Sequence, residues 1–184
     1  MTAEIPSITT SRLILRPLEL ADAEAVQKLF PRWEIVRYLA SHVPWPYPAD
    51  GALTFIRDKA LPAMRQGAEW HWSIRLKEAP KRLIGVISLM DEPGNNRGFW
   101  LDPAQQGRGL MTEAGIAVTD YWFETLEREV LREPKAAVNV RSRRLSERNG
   151  MRLIETKERD YVSGRLPAEV WEITRDEWRE RRGR

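Results

Sequence analysis

A chain of 184 residues, 42% of them hydrophobic, is long enough to bury the core of one compact domain. The lack of cysteine excludes disulfides and thiolate metal sites and suits a reducing cytoplasm, which is the expected location. A net charge of only +3, with acids and bases interleaved, argues against a nucleic-acid partner. No apolar run approaches the ~20 residues of a membrane span, and MTAEIPSITT lacks the pattern of a secretion signal. The two histidines, His42 and His71, are far apart in sequence, which argues against a metal site.

The first half of the chain predicts a strand, two helices and a three-stranded meander. The first strand is expected at 11–18, a helix at 21–30, and a loop rich in proline and aromatic residues at 41–51. A second helix is expected at 52–67, where Pro62 should kink or end it because proline lacks an N–H. Alternation or continuous apolarity then predicts three strands, at 69–76, 82–90 and 97–101.

The second half begins with a helical period of apolar residues over 110–129. A strand at 135–140, a short helix at 141–150, and two strands at 151–162 and 168–178 joined by a turn complete the chain. The predicted order is β-α-α-β-β-β-α-β-α-β-β. This order indicates an α/β fold over residues 1–184, a mixed central sheet in one domain with helices on both faces.

The segment most informative about chemistry is FWLDPAQQGRGLMTE, residues 99–113. A strand runs into a turn that contains Gly107 and Gly109, and the turn leads into the long amphipathic helix. Free N–H groups and the positive end of the helix dipole favour a phosphate there, and glycines allow close approach. No GK[ST] and no third glycine follow, so neither nucleotide fingerprint is present. A purely structural turn stays open as the alternative.

Four stretches, in matching order and spacing, make the chain resemble the GNAT acetyltransferases. The closest likeness is to the branch that acetylates ribosomal-protein N-termini and to its small-molecule relatives. The stretches are TSRLILRPLELADAEAV, LIGVISL, GFWLDPAQQGRGLMTEA and NVRSRRLSERNGMR. The resemblance implies a GNAT-like domain that transfers an acetyl group from acetyl-CoA to a primary amine and uses no metal.

The same resemblance implies a cofactor site. The pantetheine arm should pair with the strand Phe99, Trp100 and Leu101, one of whose backbone N–H groups should stabilise the oxyanion. Asn139 should hydrogen-bond that arm, and Arg143 and Arg144 are candidates for the adenosine phosphates. The amides that should hold the pyrophosphate belong to Gln106, Gly107, Arg108, Gly109, Leu110 and Met111.

Ser142 is the candidate catalytic residue, because it should lie near the thiol and can return a proton to the departing thiolate. Its alternative role is the N-cap of the short helix. The general base that many GNAT enzymes carry on the central strand is missing, since Asn95, Asn96 and Arg97 stand at its start. His71 is one substitute, although a lone histidine on a strand is usually polar surface.

A site without a strong base suits an α-amine, with a pKa near ~7.8, better than a lysine amine near ~10.4. Peptide N-termini and amino-acid-like small molecules are therefore favoured as acceptors. Two further departures from the family pattern, Ala104 and the helix end with Asn149 and Met151, are expected to alter a contact and local packing.

The family places acceptor recognition on the loop at 42–51 and the turn at 161–168. Trp45 and Tyr47 are the candidate acceptor-binding residues, as rigid aromatic walls, or else they fold onto the core. The alternatives to an enzyme are a non-catalytic acyl-CoA-binding module and a nucleic-acid-binding protein that uses the basic C-terminal tail. A monomer or a homodimer is expected, with no membrane partner.

Overall fold

The computed structural model describes residues 4–183, which form two small antiparallel sheets. The first sheet has the order β1-β2-β3-β4-β5 and the second has the order β6-β8-β7. The strands of the first sheet are β1 (Ile8–Thr9), β2 (Leu13–Pro17), β3 (Glu69–Leu76), β4 (Ala79–Met90) and β5 (Arg97–Leu101). Those of the second are β6 (Val130–Ala136), β7 (Arg152–Tyr161) and β8 (Gly164–Thr174).

The two sheets meet where β5 and β6 begin. Asn96 donates its backbone N–H to the Arg132 carbonyl at 2.7 Å, and its side-chain oxygen accepts from the Arg132 N–H at 2.9 Å. Contacts from Arg97 to Glu133 and from Phe99 to Lys135 follow in the same direction, so the two strands run parallel. Beyond Asn96 they belong to separate sheets. This parallel junction between antiparallel ladders gives the mixed arrangement that the sequence predicts.

Helices cover both faces of the first sheet, which confirms the predicted α/β fold class. On one face α5 packs Leu110, Ala114 and Val118 against the indoles and aliphatic chains of β3. On the other face Val26, Ile56 and their neighbours pack against Leu83 and Val86 of β4. The helices are α1 (Ala23–Leu29), α2 (Trp33–Val36), α3 (Gly51–Phe55), α4 (Leu61–Gln66), α5 (Leu110–Asp120), α6 (Val140–Arg148) and α7 (Arg175–Arg182). Within residues 4–183, none of them is long and apolar enough to cross a membrane.

Of the two outcomes expected at Pro62, a kink or an end of the helix, the end does not occur. A π turn (Ile56–Ala60) joins α3 to α4, and the Leu61 N–H bonds to the carbonyl of Ile56, five residues back. The widened turn comes immediately before Pro62, so the helix passes a residue that has no N–H to donate. The helix of α5 likewise ends in a π turn (Tyr121–Thr125), and Glu127, with φ 53°, stops it before the predicted residue 129.

Three expectations for the second half are wrong in their boundaries. The strand predicted at 135–140 is β6, which lies earlier along the chain, and the turn between β7 and β8 is only Val162–Ser163. The strand predicted at 168–178 is the end of β8 followed by α7. Thr174 and Glu177 form a capping box at the start of α7, which explains why a helix begins there. Trp178 of α7 is completely buried and bonds Asp120, so the tail is anchored to α5.

Candidate active site

A cleft of about 1000 Å³ opens between β5 and β6. Its existence follows from the junction at Asn96, since the strands are joined there and separate beyond it. One wall is β5 with the turn and helix start after it, and the other is β6 with the start of α6. Residues of the segment 34–43 and of the end of β7 close the opposite end. We call the end at α5 the donor end, after the acetyl donor expected there. We call the end at residues 34–43 the acceptor end, after the expected amine acceptor.

The donor end is built on two glycines in the left-handed region. Gly107 has φ 76° and Gly109 has φ 75°, which side chains with a Cβ rarely adopt. A Cβ on Gly107 would meet no protein atom within 4 Å, so the protein leaves the space beside Gly107 open. Gly109 is the N-cap of α5. The backbone N–H groups of Leu110 to Thr112 lie in the first turn of this helix and therefore have no hydrogen-bond partner within it. Backbone donors and open space together fit a phosphate group.

An ion pair fixes this turn to the N-terminal strands. Arg12 bonds Glu113 at 2.7 Å and also donates to the Arg108 carbonyl at 2.9 Å. Burial alone would raise the pKa of Glu113, but hydrogen bonds from Thr10 and Arg12 outweigh it and lower that pKa. Glu113 is therefore ionised at neutral pH and holds the turn in place.

Gln106 bridges the two walls of the cleft. Its Nε2 donates to the Leu101 carbonyl at 3.1 Å, and its Oε1 accepts from Arg141 Nη1 at 2.5 Å. The side chain therefore connects the end of β5 with the first turn of α6. The distance between the walls is set at this point by the protein itself.

Asn139, not Ser142, is the N-cap of α6. The Asn139 Oδ1 accepts from the Ser142 backbone N–H at 3.3 Å. The Ser142 hydroxyl is therefore not needed as the cap, which was its alternative role. Both residues line the cleft. The Asn139 amide nitrogen can still donate to a ligand, since the cap uses only the oxygen.

A buried cluster of charges forms the floor of the cleft. Glu133 of β6 bonds Arg97 at 2.9 Å and Lys135 at 2.6 Å, and all three are more than nine-tenths buried. Lys135 also donates to Ser146 and, at 3.1 Å, to the Ser142 carbonyl. Burial alone would raise the pKa of Glu133, but Arg97 and Lys135 hold that pKa well below its usual range. Burial lowers the pKa of Lys135, although Glu133 opposes the shift.

The structure brings most of the predicted cofactor residues into one cleft. Those that line it are Phe99, Trp100, Leu101, Gln106, Gly107, Gly109, Leu110, Met111, Asn139 and Ser142. Arg108 points to solvent and bonds Gln105. Arg144 lines the cleft, whereas Arg143 bonds Glu169 at 2.8 Å outside it. Met151, one of the departures from the family pattern, is buried, and its sulfur accepts from Arg97 Nη2 at 3.5 Å.

Trp45 and Tyr47 lie outside the lining of the cleft. Tyr47 packs its ring against Phe30 with 5.1 Å between ring centroids, and burial raises its pKa. Trp45 is 42% exposed and lies 5.6 Å from the ring of Trp33. Glu34 and Ile35, which follow Trp33, do line the cleft. A role of Trp45 and Tyr47 in acceptor binding stays a prediction.

Two titratable side chains that could replace the missing base, His71 and Asp91, also lie away from the cleft. His71 is buried, not polar surface, and its two ring nitrogens bond Ser88 and Glu69, each at 2.6 Å. Asp91 is exposed and pairs with Arg128 at 2.6 Å. Among residues 4–183, no group of three or more histidine, aspartate or glutamate side chains could hold a metal.

The sequence-based expectations located part of the acceptor end but not the floor of the cleft. Tyr161 lines the acceptor end and belongs to the turn at 161–168 to which the family resemblance assigned acceptor recognition, and the loop at 42–51 contributes two lining residues. Arg37 and Arg159 also line that end, and no sequence signal points to them. Glu133 and Lys135 lie on the buried face of β6, but two charges on one face predict exposure, so no periodic pattern reveals the floor.

The chain belongs to the GNAT acetyltransferases, because the family described as the acetyltransferase (GNAT) domain matches residues 12–152. It is therefore an acyltransferase. The chain is similar to the probable N-acetyltransferase YjcK of Bacillus subtilis strain 168, with 28% identity over 150 residues, 75% of this chain and 79% of that protein.

Two solved structures share the fold. RimL, the ribosomal L7/L12 alpha-N-protein acetyltransferase in complex with coenzyme A, has a TM-score of 0.76 at 19% identity, covering 92% of this chain and 97% of that one. The ribosomal-protein-S5-alanine acetyltransferase from Vibrio fischeri has a TM-score of 0.78 at 15% identity, covering 94% and 98%. Both structures share the GNAT fold with this chain, as the resemblance implies.

Proposed function

We propose that the protein transfers an acetyl group from acetyl-CoA to an α-amine, of a protein N-terminus or of an amino-acid-like small molecule. The observation that carries this proposal is the cleft between β5 and β6, with a glycine turn and helix N-terminus at one end. RimL, which has the same fold, was solved with coenzyme A. The family membership supplies the reaction class, and the cleft supplies the space for both substrates.

At the donor end, the amides of Leu110 to Thr112 would bind the pyrophosphate. The edge of β5 that faces the cleft would pair with the pantetheine arm, as an added strand does. Asn139 would donate its amide N–H to the same arm. Arg141, Arg144 and Arg148 line the cleft beside this path and would neutralise the remaining phosphate charge.

In the reaction, the neutral amine attacks the thioester carbonyl carbon and forms a C–N bond. A backbone N–H of Phe99, Trp100 or Leu101 stabilises the oxyanion of the tetrahedral intermediate. The C–S bond then breaks, and the Ser142 hydroxyl donates a proton to the thiolate. Water accepts the proton that the amine loses and returns a proton to Ser142. The positive charge of Lys135, held under Ser142, favours the developing negative charge.

The electrostatics of the cleft support an α-amine rather than a lysine as acceptor. Glu133 is the carboxylate on the floor of the cleft, and its bonds to Arg97 and Lys135 with the lowered pKa make it a poor base. An α-amine is already partly neutral near pH 7, whereas a lysine amine needs a base to lose its proton.

The test is a pair of measurements on the purified chain. Calorimetry with acetyl-CoA measures binding at the donor end. Thiol release is then followed with amino acids, amino-acid amides, short peptides with free N-termini, and Nα-acetyl-lysine, which offers only a side-chain amine. The proposal expects binding, and faster release with the α-amines than with Nα-acetyl-lysine. Binding without release from any amine would favour an acyl-CoA-binding module, and the absence of binding would reject the donor site.

A further inference from the structure

Two buried polar atoms at the acceptor end have no partner within residues 4–183. They are Nε of Arg37 and the phenol oxygen of Tyr161, and both residues line the cleft. Tyr161 is only 5% exposed. A buried donor without a partner is costly, and native structures leave very few of them. Such atoms beside a cleft are explained most simply by a ligand that completes their hydrogen bonds.

The backbone holds these two side chains at fixed positions. The segment that contains Arg37 pairs with the end of β7 through a bridge between Ala40 and Tyr161. The N–H of Val162 donates to the Leu39 carbonyl at 3.0 Å, and the N–H of Ser163 donates to the Arg37 carbonyl at 3.1 Å. The orphaned atoms therefore belong to a rigid part of the fold, which is the arrangement that selective binding requires.

Among the residues that the structure describes, the charged ones that line this end are two arginines and one glutamate, so the positive charges are in excess. The Arg37 guanidinium lies 4.6 Å above the ring of Tyr38 and offers several N–H donors. Arg159 also lines the cleft, and its charge opposes the burial that raises the pKa of Tyr161. Tyr161 is thus a neutral O–H donor at pH 7. Glu34 is the exposed acid nearby, and the other cleft carboxylate, Glu133, is already paired on the floor.

We propose that Arg37, Tyr161 and Arg159 bind an anionic oxygen group, a carboxylate or a phosphate, that the amine acceptor carries beyond its reacting nitrogen. This assignment rests on the proposed acetyl transfer, because it names the substrate class of the same cleft. Guanidinium and phenol donors both match oxygen anions, and hydrogen bonds to a charged partner are the stronger kind. Amines with such a group are the preferred acceptors, and amines of equal size without it are poor ones.

The experiment compares acceptors whose amines are alike and whose charges differ. The carboxylate arm uses Ala-Asp-NH₂ against Ala-Asn-NH₂, and the phosphate arm uses Ala-phosphoserine-NH₂ against Ala-Ser-NH₂. The expected kcat/KM of the wild type is at least about tenfold higher for the anionic peptide of one arm, as one or two charged hydrogen bonds imply. The arm with the larger ratio identifies the group. Equal rates in both arms overturn the subsite.

Two variants test the residues themselves, and a third is the control. Arg37→Gln and Tyr161→Phe are expected to reduce the ratio of kcat/KM between the anionic and the neutral peptide to near unity, because the anionic group loses its donors. Tyr161→Phe removes only an atom that has no partner in the fold, so its thermal stability should match the wild type. Lys157→Gln, an exposed charge on the same strand that pairs with Glu155, is the matched control and should keep the preference.

A binding measurement separates this inference from the proposed reaction. With coenzyme A present, calorimetry compares N-acetyl-Ala-Asp-NH₂ with N-acetyl-Ala-Asn-NH₂, and the phosphoserine product with the serine product. Tighter binding of an anionic product that is lost in Arg37→Gln supports the subsite, even if no amine releases thiol. Equal binding, or no binding of any product, overturns the subsite, whereas thiol release from neutral peptides would still support acetyl transfer.

Discussion

At the donor end of the cleft the polar side chains bond other parts of the protein, and at the acceptor end two of them do not. Gln106, Glu113 and Asn139 each bond another part of the chain, and together they fix the turn, β5 and α6. At the other end, Arg37 Nε and the Tyr161 hydroxyl are buried without a partner. The side chains of the donor end are thus held in place before a ligand arrives, with backbone amides left for the ligand, whereas the proposed subsite at the acceptor end needs a ligand to complete its side-chain hydrogen bonds. This difference indicates that the site for the cofactor is preformed. The site for the acceptor is completed only by the substrate that it selects.

The largest expected effect comes from the floor that joins the two ends. Glu133→Gln leaves Arg97 and Lys135 without their buried counter-charge, and we expect a loss of about 3–5 kcal/mol in the free energy of unfolding. Urea unfolding measures it. Asp91→Asn, which breaks an exposed pair with Arg128, is the control and should cost less than about 1 kcal/mol.

The same carboxylate predicts a pH dependence. Because the folded pKa of Glu133 lies below its ordinary value of 4.5, its contribution to stability is fully present above pH 4.5 and is lost as the pH falls below it. The wild type should therefore lose more stability between pH 5 and pH 3 than Glu133→Gln does. Parallel pH curves for the two proteins would contradict this account.

A bulky side chain at the donor end should remove cofactor binding. We expect Gly107→Trp to weaken acetyl-CoA affinity at least about 100-fold in calorimetry, because the indole would occupy the pyrophosphate position. Gly94→Trp is a matched control, since Gly94 has φ 77°, equally open surroundings and a place outside the cleft. Both variants should pay a similar strain of about 1–3 kcal/mol. A similar loss of acetyl-CoA affinity in Gly107→Trp and Gly94→Trp would contradict the assignment of the pyrophosphate site to the turn at Gly107.

Ser142 and Asn139 separate chemistry from capping. Ser142→Ala should lower kcat by about 10²-fold with little change in melting temperature, because the cap belongs to Asn139. Asn139→Ala should instead cost about 1 kcal/mol of stability and weaken acetyl-CoA binding. Steady-state kinetics and thermal unfolding on both proteins decide it. A normal kcat in Ser142→Ala would mean that another group donates the proton to the thiolate.

Substitutions of Trp45 and Tyr47 should also have different effects, one on acceptor binding and the other on stability. Tyr47→Ala removes a half-buried ring from Phe30 and should cost on the order of 2 kcal/mol of stability. Trp45→Ala removes an exposed ring and should leave the melting temperature nearly unchanged while raising the acceptor KM several-fold. An unaltered acceptor KM in Trp45→Ala would end its assignment to the acceptor site.

The smallest effect concerns two neighbouring arginines of α6. Arg144→Gln should weaken coenzyme A affinity about three- to tenfold at low salt, and the difference should shrink as salt screens the phosphate charge. Arg143→Gln should leave that affinity unchanged, because Arg143 pairs with Glu169 outside the cleft. An equal loss of coenzyme A affinity in both variants would mean that the total positive charge of α6, and not the position of Arg144, attracts the phosphates.

The donor end could be predicted from sequence because its signals are local. The two glycines, the helix after them and the Asn139–Ser142 spacing lie within short stretches, and each has a direct physical meaning. Likewise, the periodicity of β3 and α5 is strong enough to fix the main core. The stretch alone predicts a turn that can bind a phosphate, and the resemblance to the GNAT family adds the expectation that coenzyme A binds there.

The acceptor end and the floor depend on contacts that no local pattern encodes. Arg37 and Tyr161 come together through three backbone bonds between an irregular segment and a hairpin. Glu133 meets Arg97 only because Asn96 aligns two strands from distant parts of the chain. The helix α7 is a different case, since Thr174 and Glu177 have the capping-box spacing in the sequence itself.

The bonds of Asn96 join β5 and β6 where the two strands begin, and Gln106 connects the end of β5 with α6 across the cleft. A cleft that is held at two places keeps its width only while both connections are in place. A core substitution beneath the second sheet that shifts β6 is therefore expected to change ligand binding although it touches no ligand. The width of the site is in this sense a property of the whole fold.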